Sequence, residues 1–154
     1  MATLYSNQKT KWSQNVPSEK IKSNEYSGRL RVAFADVTLA AAAIADVIQM
    51  FNLPNGARII DGYLTNAALG SSTTLSVGYA AYKTSALVDV ALSTAGYLAA
   101  TSTSSAARTD VVATYALGAG SVVDADGTGL PITLTVAGGA ATGVVQLMIR
   151  YVVD

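Results

Sequence analysis

The chain contains no cysteine and no histidine among its 154 residues. Without cysteine there is no disulfide framework and no thiolate metal site. Without histidine the commonest general base, the commonest metal ligand and the usual partner of a nucleophilic serine or cysteine are missing. Ser-His-Asp and Cys-His chemistry are thereby excluded, and the sequence reads as that of a non-enzyme. Charge is scarce too: 13% of residues are charged, against about 25% in average globular domains. So little charge suits a surface covered by other proteins better than one facing bulk water. Long hydrophobic runs are also lacking. Residues 37–53 are interrupted by Thr38, Asp46, Gln49 and Asn52, which is too broken for a membrane span. The first residues, MATLYSNQKTKW, lack the apolar core of a secretory signal.

What is present is a chain that is 51% hydrophobic, long enough for one domain with its own core. Its net charge is zero but unevenly spread. Residues 1–31 hold six basic and two acidic residues, a balance of +4, and the remainder holds four basic and eight acidic, a balance of −4. A basic arm on an acidic body can dock on a neighbouring copy or on another acidic surface.

Residues 1–28 read as an extended arm. Tyr5, Trp12, Val16, Pro17, Ile21 and Tyr26 follow no helical or strand rhythm. The arm nevertheless carries the only tryptophan, and large aromatics in a polar tail act as anchors for partner pockets. Tyr5, Lys9, Lys11, Trp12 and Tyr26 are therefore the candidate protein-interface residues. Residues 29–154 read as a β-sandwich domain. Leu30, Val32 and Phe34 alternate with Arg31, Ala33 and Ala35, as in a half-buried strand. The alanine-rich patch 40–45 fits either a loop or a helix. Residues 46–53 and 57–69 read as two strands joined in a hairpin across Pro54-Asn55-Gly56.

Beyond Gly70 the alternation is cleaner. Leu75, Val77 and Tyr79 oppose Thr74, Ser76 and Gly78. Residues 83–96 are a looser excursion, 97–100 a short strand, and 101–108 an exposed loop by composition. A strand is expected within 110–117, another over 130–137, and the clearest over 145–153. There Val145, Leu147, Ile149, Tyr151 and Val153 share one face, with Gln146, Met148, Arg150 and Val152 on the other. This gives about eight short strands with Gly/Ser/Asn turns, the pattern of a sandwich or small barrel.

The chemical motifs are weak. Asp124-Ala125-Asp126-Gly127-Thr128-Gly129 begins like a calcium loop, but its twelfth position is Thr135, where a bidentate Glu is required. It reads as a surface turn. Gly118-Ala119-Gly120 and Gly138-Gly139 lack the residues of a phosphate loop. Asp36, Asp46 and Asp61 lie near strands, with nothing in the pattern to bring two of them together for glycoside hydrolysis. Lys9, Lys11 and Trp12 mix charge with an aromatic as single-strand binders do, but the body is acidic and specific nucleic-acid binding is not expected. Tyr63, Tyr79, Tyr82, Tyr97, Tyr115 and Tyr151 could line a sugar-binding face; packing explains most of them more simply. No cofactor, metal or small-molecule ligand is implied.

Two runs carry a family resemblance: Leu53-Pro54-Asn55-Gly56-Ala57-Arg58-Ile59-Ile60, and Ala68-Leu69-Gly70-Ser71-Ser72-Thr73-Thr74-Leu75-Ser76-Val77-Gly78-Tyr79. They resemble the "LP-x-GAR" and "ALG-x-STTL-x-VGY" patterns of tailed-bacteriophage virion structural proteins of the head-decoration or cement type. The resemblance covers about residues 29–82; the C-terminal half matches only in its Gly-rich, strand-rich character. It implies a jelly-roll-like antiparallel β-sandwich on the exterior of a virion, assembled in the host cytoplasm. It implies a capsid decoration or cement protein that bridges neighbouring capsid subunits. The implied partners are the major capsid protein and copies of itself, as dimers or trimers, with no membrane. A head–tail connector, tail or fibre-base component is the alternative within virions. A carbohydrate-binding β-sandwich module is the alternative of another class.

Overall fold

The computed structural model describes Ser6, Lys9, Lys11 and residues 28–153. Among the described residues ten strands form in chain order: β1 (Leu30–Ala42), β2 (Val47–Leu53), β3 (Arg58–Asn66), β4 (Thr74–Tyr79), β5 (Tyr82–Lys83), β6 (Asp89–Val90), β7 (Ser93–Ser102), β8 (Ala107–Val111), β9 (Leu130–Ala137) and β10 (Ala141–Val152). Sheet A has the order β1-β10-β3-β8 and sheet B the order β2-β9-β4-β7; β5 and β6 form a small ribbon. Every pairing within them is antiparallel. The two sheets pack as a sandwich, so the expected all-β fold is present.

Alternation builds the core. Val145, Leu147 and Ile149 of β10 face Ile132, Leu134 and Val136 of β9 and Leu75 and Val77 of β4, all but sealed from solvent. At roughly 1.5–3 kcal/mol for each such side chain, this layer is the main stabilising term. Strand β9 coincides with the expected 130–137 segment, and the inner and outer faces of β10 are as read up to Arg150. Val152, expected on the outer face, is buried.

Five expectations are corrected. In β1 the alternation is real but inverted: Ala33, Val37 and Leu39 pack toward the core, while Leu30, Val32 and Phe34 are exposed. The residues at 46–53 and 57–69 do form strands, but not a hairpin. Strand β2 pairs with β9 in sheet B, and β3 pairs with β10 and β8 in sheet A. The turn at Pro54-Asn55-Gly56 is a corner between sheets, with Leu53, Ala57 and Ile59 buried on either side of it. The patch 40–45 is neither loop nor helix throughout. Strand β1 continues to Ala42, and the chain then turns, with the Asp46 carboxylate accepting the Ala43 N–H at 2.7 Å.

Half of the expected loop 101–108 is strand. It shrinks to four residues, and Thr103 within it is buried, donating its hydroxyl to Thr73 Oγ1 at 3.0 Å. Finally, the strand expected within 110–117 ends at Val111. Val112 has a φ of 60°, and a single 3-10 turn, Tyr115–Leu117, follows, capped by the Thr114 hydroxyl.

A bulge shapes the outer face of sheet A. Arg150 pairs with Asp61, but Tyr151 pairs with Ile59, leaving Ile60 as the extra residue. The bulge re-aims the strand. Ile59 and Leu64 both reach the core although they are an odd number of positions apart.

Candidate interaction surface

The register of sheet A lays its outward side chains in three rows running across β1, β10, β3 and β8. The first is Val32, Arg150 and Asp61. The second is Phe34, Met148, Tyr63 and Asp110, and the third is Asp36, Gln146, Thr65 and Arg108. Successive strand residues point to opposite faces, so core packing of Leu147 and Ile149 fixes Met148 and Arg150 outward.

Polar contacts hold these side chains in place. Arg150 Nε donates to Asp61 Oδ1 at 2.5 Å, and its Nη2 donates to Asp61 Oδ2 and, at 3.0 Å, to Tyr63 Oη. The hydrogen bond to Asp61 holds the Arg150 guanidinium above its ordinary pKa. The Arg108 guanidinium lies 3.6 Å from the centroid of the Tyr63 ring, a cation–π stack. Phe34, Tyr63, Thr65, Arg108, Gln146 and Met148 surround a hollow of about 210 Å³. Phe34 is 56% exposed. Arg, Tyr, Phe and Met are the residue types enriched at protein interfaces.

A second feature stands at the margin of sheet B. The β5–β6 ribbon carries the exposed side chains Leu87 and Val88, with exposed Leu92 just beyond it. A cleft of about 770 Å³ lies beneath it, lined among others by Gln49, Tyr82, Lys83, Asp89, Asp126 and Pro131. The Lys83–Asp89 ion pair closes the ribbon at 3.0 Å. The Ser85 N–H donates to Asp124 Oδ1 at 3.0 Å and ties it to the loop before β9. Asp126 Oδ1 accepts from the Thr128 N–H at 2.8 Å and from its hydroxyl at 2.5 Å. Both aspartates are held below the ordinary carboxylate range, Asp124 by the Ser85 side chain and then its backbone N–H, Asp126 by the Thr128 side chain and then its backbone N–H. The calcium-like segment is thus a self-bonded turn. Among the described residues no cluster of three or more carboxylates could hold a metal ion.

The tyrosines do not share a face. Tyr97 is buried and packs edge-on with Tyr79, which packs edge-on with Tyr82, with centroids 5.9 and 5.7 Å apart. Burial, together with Tyr82 and Tyr79, raises the Tyr97 phenol far above its ordinary value. Tyr63 lies under Arg108, and Tyr115 stands alone at 91% exposure.

Of the arm residues, Lys9 and Lys11 have helical backbone, Lys9 exposed and Lys11 half-buried. The Lys9 N–H donates to Ser6 Oγ at 3.2 Å. Tyr5, Trp12 and Tyr26 lie outside the described residues. Sequence reading missed Phe34, Tyr63, Arg108 and Arg150 as a constellation. The outward face of β10 was visible in its alternation. That the other three share its surface depends on which strands pair, and only the sheet order supplies that.

The sequence matches no protein-family model and no curated protein. The fold does have solved relatives. A chain of the capsid asymmetric unit of cyanophage Pam1 superposes with a TM-score of 0.60 at 19% identity, over 92% of this chain and 99% of that one. A chain of the capsid of Ralstonia phage GP4 gives 0.62 at 22% identity, over 82% and 86%. A chain of the acid-stable capsid of Helicobacter pylori bacteriophage KHP30 gives 0.51 at 16% identity, over 80% and 87%. The chain shares its sandwich fold with phage capsid components across most of its length.

Proposed function

We propose that this chain is a virion structural protein that decorates the outer surface of a phage head and stabilises the shell by bridging neighbouring capsid subunits. One observation carries the reading: the near end-to-end structural likeness to a chain of the Pam1 capsid asymmetric unit. The sheet orders support reading the sandwich as a jelly roll. Counting only the eight long strands, they are 1-8-3-6 and 2-7-4-5, so the chain changes sheet at every connection but the central one. The scarcity of charge and the Arg–Tyr–Phe–Met face on sheet A support a protein that works by burying surface.

The protein then acts by binding, without a catalytic step. The arm, with Tyr5, Lys9, Lys11, Trp12 and Tyr26, reaches a neighbouring subunit, and the sandwich is its platform. Each contact is modest, and many symmetric copies add avidity. The partners are the major capsid protein and further copies of this chain, on the exterior of a particle assembled in the host cytoplasm. Copy number tests the assignment. Quantitative protein analysis of purified virions gives several hundred copies for a decoration protein. Roughly a dozen, the number set by a ring at one vertex, assigns the chain to the tail or connector instead.

A further inference from the structure

We infer that the outer face of sheet A is a self-complementary interface, on which two copies of this chain stack face to face about a two-fold axis parallel to the strands. Such an axis, placed between β10 and β3, sets β1 of one copy over β8 of the other and β10 over β3, and it keeps each row opposite itself. The third row begins with the exposed Asp36 on β1 and ends with the exposed Arg108 on β8. Stacking therefore brings Asp36 of each copy to Arg108 of the other, one ion pair at each rim. In the second row Met148 of each copy meets the edge of the other's Tyr63 ring, whose face that copy's own Arg108 covers, a sulfur–aromatic contact made twice near the axis. Gln146 meets Thr65. Arg150 and Asp61 already neutralise one another within each copy, so the first row brings no unpaired charge into the contact. Also in the second row, Phe34 at the β1 rim of each copy stands opposite Asp110 of the other, one row from that copy's Arg108.

The geometry is that of an isologous pair, in which the same patch serves both partners. Sheets stack about 10 Å apart with their strands within roughly 30° of alignment, a distance and angle these side chains can span. The other two-fold, running across the strands, stacks β8 on β8. It gathers both ion pairs, Arg108 with Asp110, at one rim and sets Met148 against Gln146 and Tyr63 against Thr65, so the two central sulfur–aromatic contacts are lost. The area sets the strength. Four strands about 4.8 Å apart and about seven residues deep give a flat face of roughly 400 Å². This falls below the ~800 Å² per partner of a standard interface, so the pair is a weak one that forms only at high concentration. On a particle, where copies are held close together, a weak contact of this kind is enough to link them.

Sedimentation of the purified full chain up to about 200 µM tests the pairing, a range that covers weak interfaces of this size. The expected result is a monomer–dimer equilibrium. Asp36→Arg and Arg108→Asp each weaken it at least about tenfold, because each leaves like charges facing. The double variant D36R/R108D restores dimerisation to within about threefold of the parent. Unchanged melting temperatures confirm that the variants fold. A monomer throughout the range overturns the proposal, as does a trimer, or single variants that dimerise like the parent. Restoration of R108D by Asp110→Arg in place of Asp36→Arg also overturns it. No capsid is used, so failure here leaves the decoration reading standing, and failure to bind heads leaves this one standing.

Discussion

Phe34 and Met148 face each other across β1 and β10, as do their neighbours Ala35 and Leu147. The first pair looks outward, whereas Leu147 is fully buried. Size and hydrophobicity alone would rank Phe34 as the better core residue, and the structure reverses that ranking. Leu147→Ala should cost about 2–5 kcal/mol in denaturant unfolding, from lost transfer energy and the cavity left behind. Phe34→Ala, though it removes a larger side chain, should stay within about 0.5 kcal/mol of the parent. Comparable losses at both positions would show that β1 packs the other way round. The acidic side chains give a second residue-scale prediction. Asp124 and Asp126 have folded pKa values below their ordinary 3.8. Their contribution is fully present above that value and is lost as pH falls through the lower, folded values. Asp126→Asn should therefore flatten the decline in melting temperature on acidification below about pH 4. A decline as steep as the parent's would show that the Thr128 contacts do not favour the charged form.

At the scale of elements, the sequence was legible where apolar residues alternate with small polar ones or with charge. Strands β4 and β9 were visible for this reason although both of their faces are largely buried, and most of β10 because its outer face is also wet. The reading failed where that contrast is missing or misleading. In the first part of β1 small alanines take the core side and the large side chains Leu30, Val32 and Phe34 sit outside, with Val37 and Leu39 reaching the core only further along, so periodicity gave the strand but not its face. At Pro54-Asn55-Gly56 the turn chemistry was right, but a tight turn serves a corner between sheets as well as a hairpin. Only the partners of β2 and β3 distinguish the two. The excursion between β4 and β7 looked loose because its ribbon is short, yet β7 returns so closely that a Cβ on Gly78 would lie 1.8 Å from the Ser93 carbonyl oxygen. Gly78→Ala should consequently cost more than about 3 kcal/mol, as overpacking against backbone does. Gly127, with nothing within 4 Å of the same position, should accept alanine with little change. Equal melting temperatures for the two variants would contradict the close return of β7 onto β4.

At the scale of the whole molecule, a sandwich with charge balance near zero presents one mixed apolar and charged face on sheet A, an apolar ribbon beside sheet B, and a basic stretch ahead of β1. The charge split was plain in the sequence. The face on sheet A was not, because its residues come from four strands spread over 119 positions, from Val32 to Arg150. Capsid binding tests the central claim most directly. Empty phage heads that lack the protein are mixed with the full chain, and with a variant lacking residues 2–28, and viewed by negative-stain electron microscopy. The account predicts added density over the outer surface with the full chain and bare heads with the truncated one, which still melts cooperatively as a folded body. Heads left bare by the full chain at saturating concentration would contradict the decoration role, and wild-type coverage by the truncated chain would contradict the part assigned to the arm.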